Sequence, residues 1–159
     1  MMMVKFAFIT NTLIQKLNWV GAFLPQVGLR LLLAYEFWES GVEKYHGINW
    51  FSDIQGDFPF PFSVIPPDVS WFLSTWFELI GAIALIIGLG TRFFSLSLII
   101  LTIVAWVSVH AGSGYNVCEN GFKLPLIYLI MLLPLLFSGP GKLSLDCWIA
   151  CWVKRQCKD

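Results

Sequence analysis

Charge is scarce in this chain. Only 13% of its 159 residues are Asp, Glu, Lys or Arg, about half the share of a typical soluble domain. Ten basic and ten acidic residues cancel to a formal net charge of zero, so no bulk charge points to nucleic acid. Cysteine occurs four times, with no CxxC pair, and the local signature of a disulfide oxidoreductase is missing. GxSxG, HExxH and P-loop patterns are also lacking, which removes the common soluble-enzyme signatures. What remains is apolar: 57% hydrophobic, 16% aromatic, with a mean hydropathy of +0.73. Those long apolar runs point to an integral membrane protein, and the length suits a single domain over residues 1–159. No cleavable signal peptide is expected, because MMMVKFAFITN runs into polar Asn11, Thr12, Gln15, Lys16 and Asn18 without a small-residue cleavage site.

The periodicity predicts an all-α membrane protein, a four-helix bundle with interfacial amphipathic helices at both ends. Ile9, Leu13, Leu17 and Val20 recur at helical spacing, which suits a helix lying on the membrane surface. Spans are expected at about 21–45, 70–89, 93–110 and 122–137, with Pro25 tolerated in the first turn and Pro134 kinking the last span. Residues 46–69 read as an interfacial lid. Asn49 is placed to cap a short helix through Gln55, and Pro59, Pro61, Pro66 and Pro67 forbid a continuous one. In the tail, 138–159, Ser144 is a credible N-cap, with Leu145, Trp148, Ile149 and Trp152 on one apolar stripe. Lys5, Lys16, Arg92, Lys142, Lys154, Arg155 and Lys158 fall on one side, against Lys44 and Lys123 on the other. That bias predicts both termini in the cytoplasm.

The stretch GLRLLLAYEFWESGVEK, residues 28–44, carries the functional signal. A charge at mid-bilayer depth costs at least about 2.5–3.5 kcal/mol, so such residues face partners or a wet cavity. At about 100° per residue Glu36, Glu39 and Glu43 share one face, with Ser40 and Lys44 on its flank. Glu36 lies ~12 Å below Lys44, and Glu78 ~12 Å below Ser70, so both acids are expected at one level. His110 ends the third span and Lys123 begins the fourth. The candidate polar cluster is therefore Arg30, Glu36, Glu39, Lys44, Glu78, His110 and Lys123. Arg30, Glu36 and Glu78 are expected to form one buried network. Blander readings stand beside it: Arg30 as half of a register-fixing ion pair, His110 as a rim histidine, Lys123 as a snorkelling anchor. Cys118 stands alone in the outer loop, while Cys147, Cys151 and Cys157 fall on the cytoplasmic side, where Cys147 and Cys151 lie one helical turn apart. Plain interfacial residues are the simplest reading of that pair, ahead of metal binding or lipidation.

The chain resembles the DoxX family of small four-helix bacterial membrane proteins. The resemblance rests on LRLLLAYEFWESGVEKY, WFELIGAIALIIGLGTRF, VSVHAG and FKLPLIYLIMLLPLLFSGPGKLSLD, and covers about residues 27–146. EFWESGVEK, FPFPF and VHAG look like the branch encoded beside copper-binding, bufferin-type peptides. The resemblance implies association with membrane redox complexes, thiosulfate:quinone oxidoreduction, thiol stress or peptide maturation. It carries the family pattern onto Arg30, Glu36, Gly41, Lys44, Glu78, Gly88 and His110 without fixing their roles.

The expected function is an accessory membrane subunit of a redox or metal-peptide maturation system, at most one subunit of an oxidoreductase. Its outward polar cluster would hold a quinone head group, a peptide or a metal, with copper reached only through a partner peptide. Partner proteins and membrane lipid are expected, homo-oligomerisation is open, and nucleic acid is not expected. The alternative is a small proton-coupled transporter in which Glu36 and Glu78 carry protons.

Overall fold

Proline and glycine punctuate the apolar runs, and the chain breaks into helices at those points. The computed structural model describes the backbone of residues 2–21 and 23–156, and the side chains of 11–21 and 23–153. Among the described residues every regular element is helical. Helix α1 is Met2–Gly21, α2 Leu24–His46, α3 Phe51–Ile54, α4 Pro67–Ile87 and α5 Thr91–Ala105, which continues as a π-helical turn over Trp106–His110; α6 is Lys123–Ser138 and α7 Leu145–Gln156. Pro25 and Pro67 stand in the first turns of α2 and α4, where a missing N–H costs nothing. Gly88, at φ 69°, ends α4 in the left-handed region, a conformation that glycine adopts without strain.

Helices α2, α4, α5 and α6 close a ring. α2 packs on α4, α4 on α5, α5 on α6, and α6 returns to α2. Gly41 makes the first contact possible: a Cβ there would lie 2.9 Å from the Leu79 side chain and 3.3 Å from Glu78 Cβ. On α4, Ser74, Gly81, Ala82 and Ala84 are buried, as their small-residue spacing predicts. The core of the ring is Leu33, Ala34, Phe37, Ala82, Leu85, Leu98, Leu132 and Leu135. Its outer wall is just as apolar. Leu31, Leu32, Ile83, Ile86 and Ile130 are all exposed, the pattern of helices solvated by lipid.

Among the described residues three stretches are long and apolar enough to cross a membrane: Asn11–His46, Pro67–Ile87 and Thr91–His110. The first runs across the α1–α2 junction and so exceeds the expected 21–45. Helix α6, with 16 residues, is about 24 Å long, short of the roughly 30 Å of a hydrocarbon core.

One end of the ring carries the lid, the other the tail, and they are built differently. At the lid end Asn49 Oδ1 accepts a hydrogen bond from Phe51 N at 3.0 Å, and its Nδ2 donates to Asp68 Oδ1 at 2.7 Å. One side chain thus starts α3 and ties the two ends of the connection together. Phe51 packs edge-on to Phe58 at 5.2 Å and to Trp71 at 5.0 Å, which holds the lid against the start of α4.

At the tail end Arg30 is 4% exposed. Its Nε donates to Leu85 O and its Nη2 to Ile86 O, both at 2.7 Å; Nη1 donates to Pro140 O at 2.9 Å and Leu143 O at 2.7 Å. The first two bonds satisfy carbonyls that the end of α4 leaves open, and the other two hold the segment before α7. Asp146 completes the junction, its Oδ1 and Oδ2 accepting from Gly90 N at 2.8 Å and Thr91 N at 3.0 Å. Ser144 caps α7 as expected, accepting from Cys147 N at 3.2 Å. Of the basic residues counted for orientation, Lys5, Lys154 and Arg155 lie outside the described side chains, and Lys158, like Cys157, lies outside the described residues.

Candidate functional site

Between the lid and the core lies a cavity of about 710 Å³. All four ring helices contribute to it, along with the π-helical turn and the aromatic lid. Lys44, one turn above Ser40 on α2, reaches across to α4. Its Nζ donates to Glu78 Oε1 at 2.9 Å, to Glu78 Oε2 at 2.7 Å and to Ser40 Oγ at 2.8 Å. The side chains of this pair are 16% and 9% exposed, so the pair forms part of the cavity wall away from bulk solvent. The approach of α2 to α4 at Gly41 sets the level at which the pair meets.

Glu36 stands beside it without joining it. Its Oε2 accepts from the Tyr128 hydroxyl of α6 at 2.5 Å. Tyr128 also packs its ring against Phe37 at 5.9 Å. This tyrosine is not among the residues expected from the sequence. Its signal was available, since it is the one side chain with a hydrogen-bonding group in the interior of the run LPLIYLIMLLPLLF. Glu39 and Glu43 also line the cavity, and both are exposed.

His110 reaches the cavity from the π-helical turn. Its Nδ1 lies 2.7 Å from the Asn120 carbonyl oxygen. A carbonyl only accepts, so Nδ1 carries the proton. The wider turn has no local signature in WVSVH, and a regular helix to residue 110 is what periodicity alone predicts.

Two members of the expected cluster lie elsewhere. Arg30 joins neither Glu36 nor Glu78, and the expected single network is corrected: its guanidinium is bound by carbonyls at the tail end. Six residues separate Arg30 from Glu36, which at ~100° per residue sends them to different faces and at ~1.5 Å per residue puts them ~9 Å apart. Arg30 therefore meets the end of α4 rather than its middle. Lys123 is absent from the cavity wall and lies over the Tyr115 ring, 5.5 Å from its centroid. The structure brings together Glu36, Glu39, Lys44, Glu78 and His110, and adds Ser40, Glu43 and Tyr128. Cys118 and Cys151 are exposed, and Cys147 is half-buried.

Residues 26–111 match the DoxX family profile. A protein of Haemophilus influenzae described as an uncharacterized protein is 55% identical over 131 residues, covering 82% of this chain and 87% of its own. A second from the same organism, with the same description, is 30% identical over 126 residues, covering 74% of this chain and 85% of its own. No solved structure matches.

Proposed function

We propose, from the premise that this chain belongs to the DoxX family, that it is a membrane accessory subunit whose lid-end cavity holds the polar head of an amphipathic ligand. The partner is a redox or peptide-maturation system. The observation that carries this reading is the cavity, whose ~710 Å³ falls within the roughly 300–1,000 Å³ of small-molecule sites. An aromatic roof of Trp50, Phe51 and Phe58 suits an apolar body, and the Lys44–Glu78 and Glu36–Tyr128 pairs suit a polar head. Of the three ligand classes expected from sequence, a metal has the least support. Among the described residues no three His, Cys, Asp or Glu side chains are grouped so as to hold a metal ion.

The placement in the membrane belongs to the same proposal. Helix α6, packed on α5 and α2, serves as a fourth span, with local thinning of the bilayer absorbing the mismatch. Lys16, Arg92 and Lys142 put the tail end on the cytoplasmic side of a bacterial inner membrane. Exposed Trp148, Ile149 and Trp152 on α7, and Leu13, Leu17 and Trp19 on α1, suit helices resting in the interface. The transporter reading has one observation in its favour, the buried Lys44–Glu78 pair. Fully buried Leu33, Leu85, Leu98 and Leu132 fill the ring on the tail side of that pair, the packing of a binding cavity rather than of a through-route.

Quenching of Trp50 and Trp71 fluorescence by a short-chain quinone in nanodiscs tests the site, alongside mass spectrometry of what co-purifies. Ala105 lines the cavity, and Ala105→Phe fills part of it. Saturable quenching that weakens about tenfold or more in Ala105→Phe is expected, equivalent to ~1.4 kcal/mol. Equal binding by both proteins places the ligand elsewhere and ends this reading.

A further inference from the structure

The polar hydrogens around the cavity are already engaged. Lys44 directs its ammonium at Ser40 and at both oxygens of Glu78. Tyr128 donates to Glu36, and His110 Nδ1 to the Asn120 carbonyl. The hydroxyls of Ser74, Thr102 and Ser108 donate to carbonyls of their own helices, Trp71 O at 3.0 Å, Leu98 O at 2.7 Å and Val104 O at 2.7 Å. The hydroxyl of Ser40, that of Ser70 (buried without a partner), the side-chain amide of Asn120 and the indoles of Trp50 and Trp71 are what remain among side-chain donors.

Acceptors are in surplus. Glu36 has a second carboxylate oxygen, and Glu39 and Glu43 enter no hydrogen bond or ion pair among the described residues. With its proton on Nδ1, neutral His110 keeps a lone pair on Nε2. Four carboxylates and one lysine line the cavity, so its formal charge is strongly negative with histidine neutral. The aromatic rings of Trp50, Phe51 and Trp71 line part of the wall, and the face of such a ring attracts cations.

Resting on the reading of this cavity as a ligand site, we propose that its occupant is a lipophilic cation with a hydrogen-bond-donating head, an ammonium or amidinium on an apolar body. Its N–H groups meet the free oxygens of Glu36 and Glu39 and the open nitrogen of His110, while the body lies under the lid. An oxidised quinone, which only accepts hydrogen bonds, leaves the surplus acceptors unmet and binds here more weakly than such a cation.

Calorimetric titration of the full chain in phosphatidylcholine nanodiscs separates these chemistries, with empty nanodiscs as the blank. Four probes share one apolar body: naphthylethylamine, protonated at neutral pH, its N-trimethylated form, neutral naphthylethanol, and anionic naphthylacetate. The amine is expected to bind about tenfold or more tighter than the alcohol, because its charge-assisted hydrogen bonds are roughly twice as strong. The trimethylated form should fall between them and the acetate should bind least. Glu36→Gln and Glu39→Gln together should shrink the amine preference, and a folded, normally melting variant that keeps the full preference overturns the proposal. Alcohol or short-chain quinone binding as tightly as amine, and lost in Ala105→Phe, overturns the charge assignment but leaves the cavity as the site. Binding of all probes unaffected by Ala105→Phe removes both.

Discussion

Arg30 and Lys44 sit toward opposite ends of α2 and answer to different partners. Arg30 satisfies four backbone carbonyls, each of which costs about 1–3 kcal/mol when left buried and unpaired. Arg30→Ala is therefore expected to lower the melting temperature sharply, and Arg30→Lys only partly to restore it, since three ammonium donors replace a five-donor planar fork. Equal melting of Arg30→Ala and the parent would show the carbonyls to be satisfied by other means. Lys44 compensates one buried carboxylate, so Lys44→Met strands Glu78 at a cost of ~3–5 kcal/mol. The double variant Lys44→Met with Glu78→Met should recover most of that loss, because an apolar pair of similar volume is often neutral. Thermal unfolding of the singles and the double measures this, and a double variant as unstable as Lys44→Met alone argues against the pair being isolated from other charges. Both charges were visible in the sequence as liabilities in an apolar run. Which partner each takes was not, because depth along a helix is legible from residue counting while rotation against three neighbours is not. Carbonyl acceptors, moreover, leave no mark in a sequence.

Helix boundaries were the most legible feature, since Pro25, Pro67, Gly88 and the Gly-Pro-Gly after Ser138 each stop or start an element for a covalent reason. The lid was legible as a connection rich in aromatics, whereas its anchoring by Phe51 on Phe58 and Trp71 depends on packing that periodicity does not encode. Phe51→Ala is expected to loosen it, raising proteolysis within residues 51–64 and weakening ligand binding while the ring helices keep their protection. Loss of protection throughout the ring would instead make the lid part of the folding core. Between α2 and α4 the limiting element is Gly41, where an added methyl meets Leu79 at 2.9 Å. Gly41→Ala should cost about 1–3 kcal/mol, as overpacking does. It should also lengthen the Lys44–Glu78 contact, which a weaker response of stability to Lys44→Met in that background would reveal.

For the molecule as a whole, topology is the first thing to measure. A reporter fused after Asp159 should be cytoplasmic and one inserted near Asp57 external, and the reverse result would place the cavity on the cytoplasmic face. Seen along the time of synthesis, the tail-end junction has a further meaning. Arg30 enters the membrane with the first span, but its partners Pro140 and Leu143 are translated last. At roughly 5–20 residues per second, about a hundred residues separate them, an interval of some 5–20 seconds. During that interval the guanidinium has only water, lipid head groups or the carbonyls of Leu85 and Ile86 to bind. The first span cannot settle at its final depth until the tail arrives, and a nascent chain that stops after Ser138 should be recognised by membrane proteases as unfinished. The bonds of Arg30 thus join a residue made early in synthesis to residues made more than a hundred positions later.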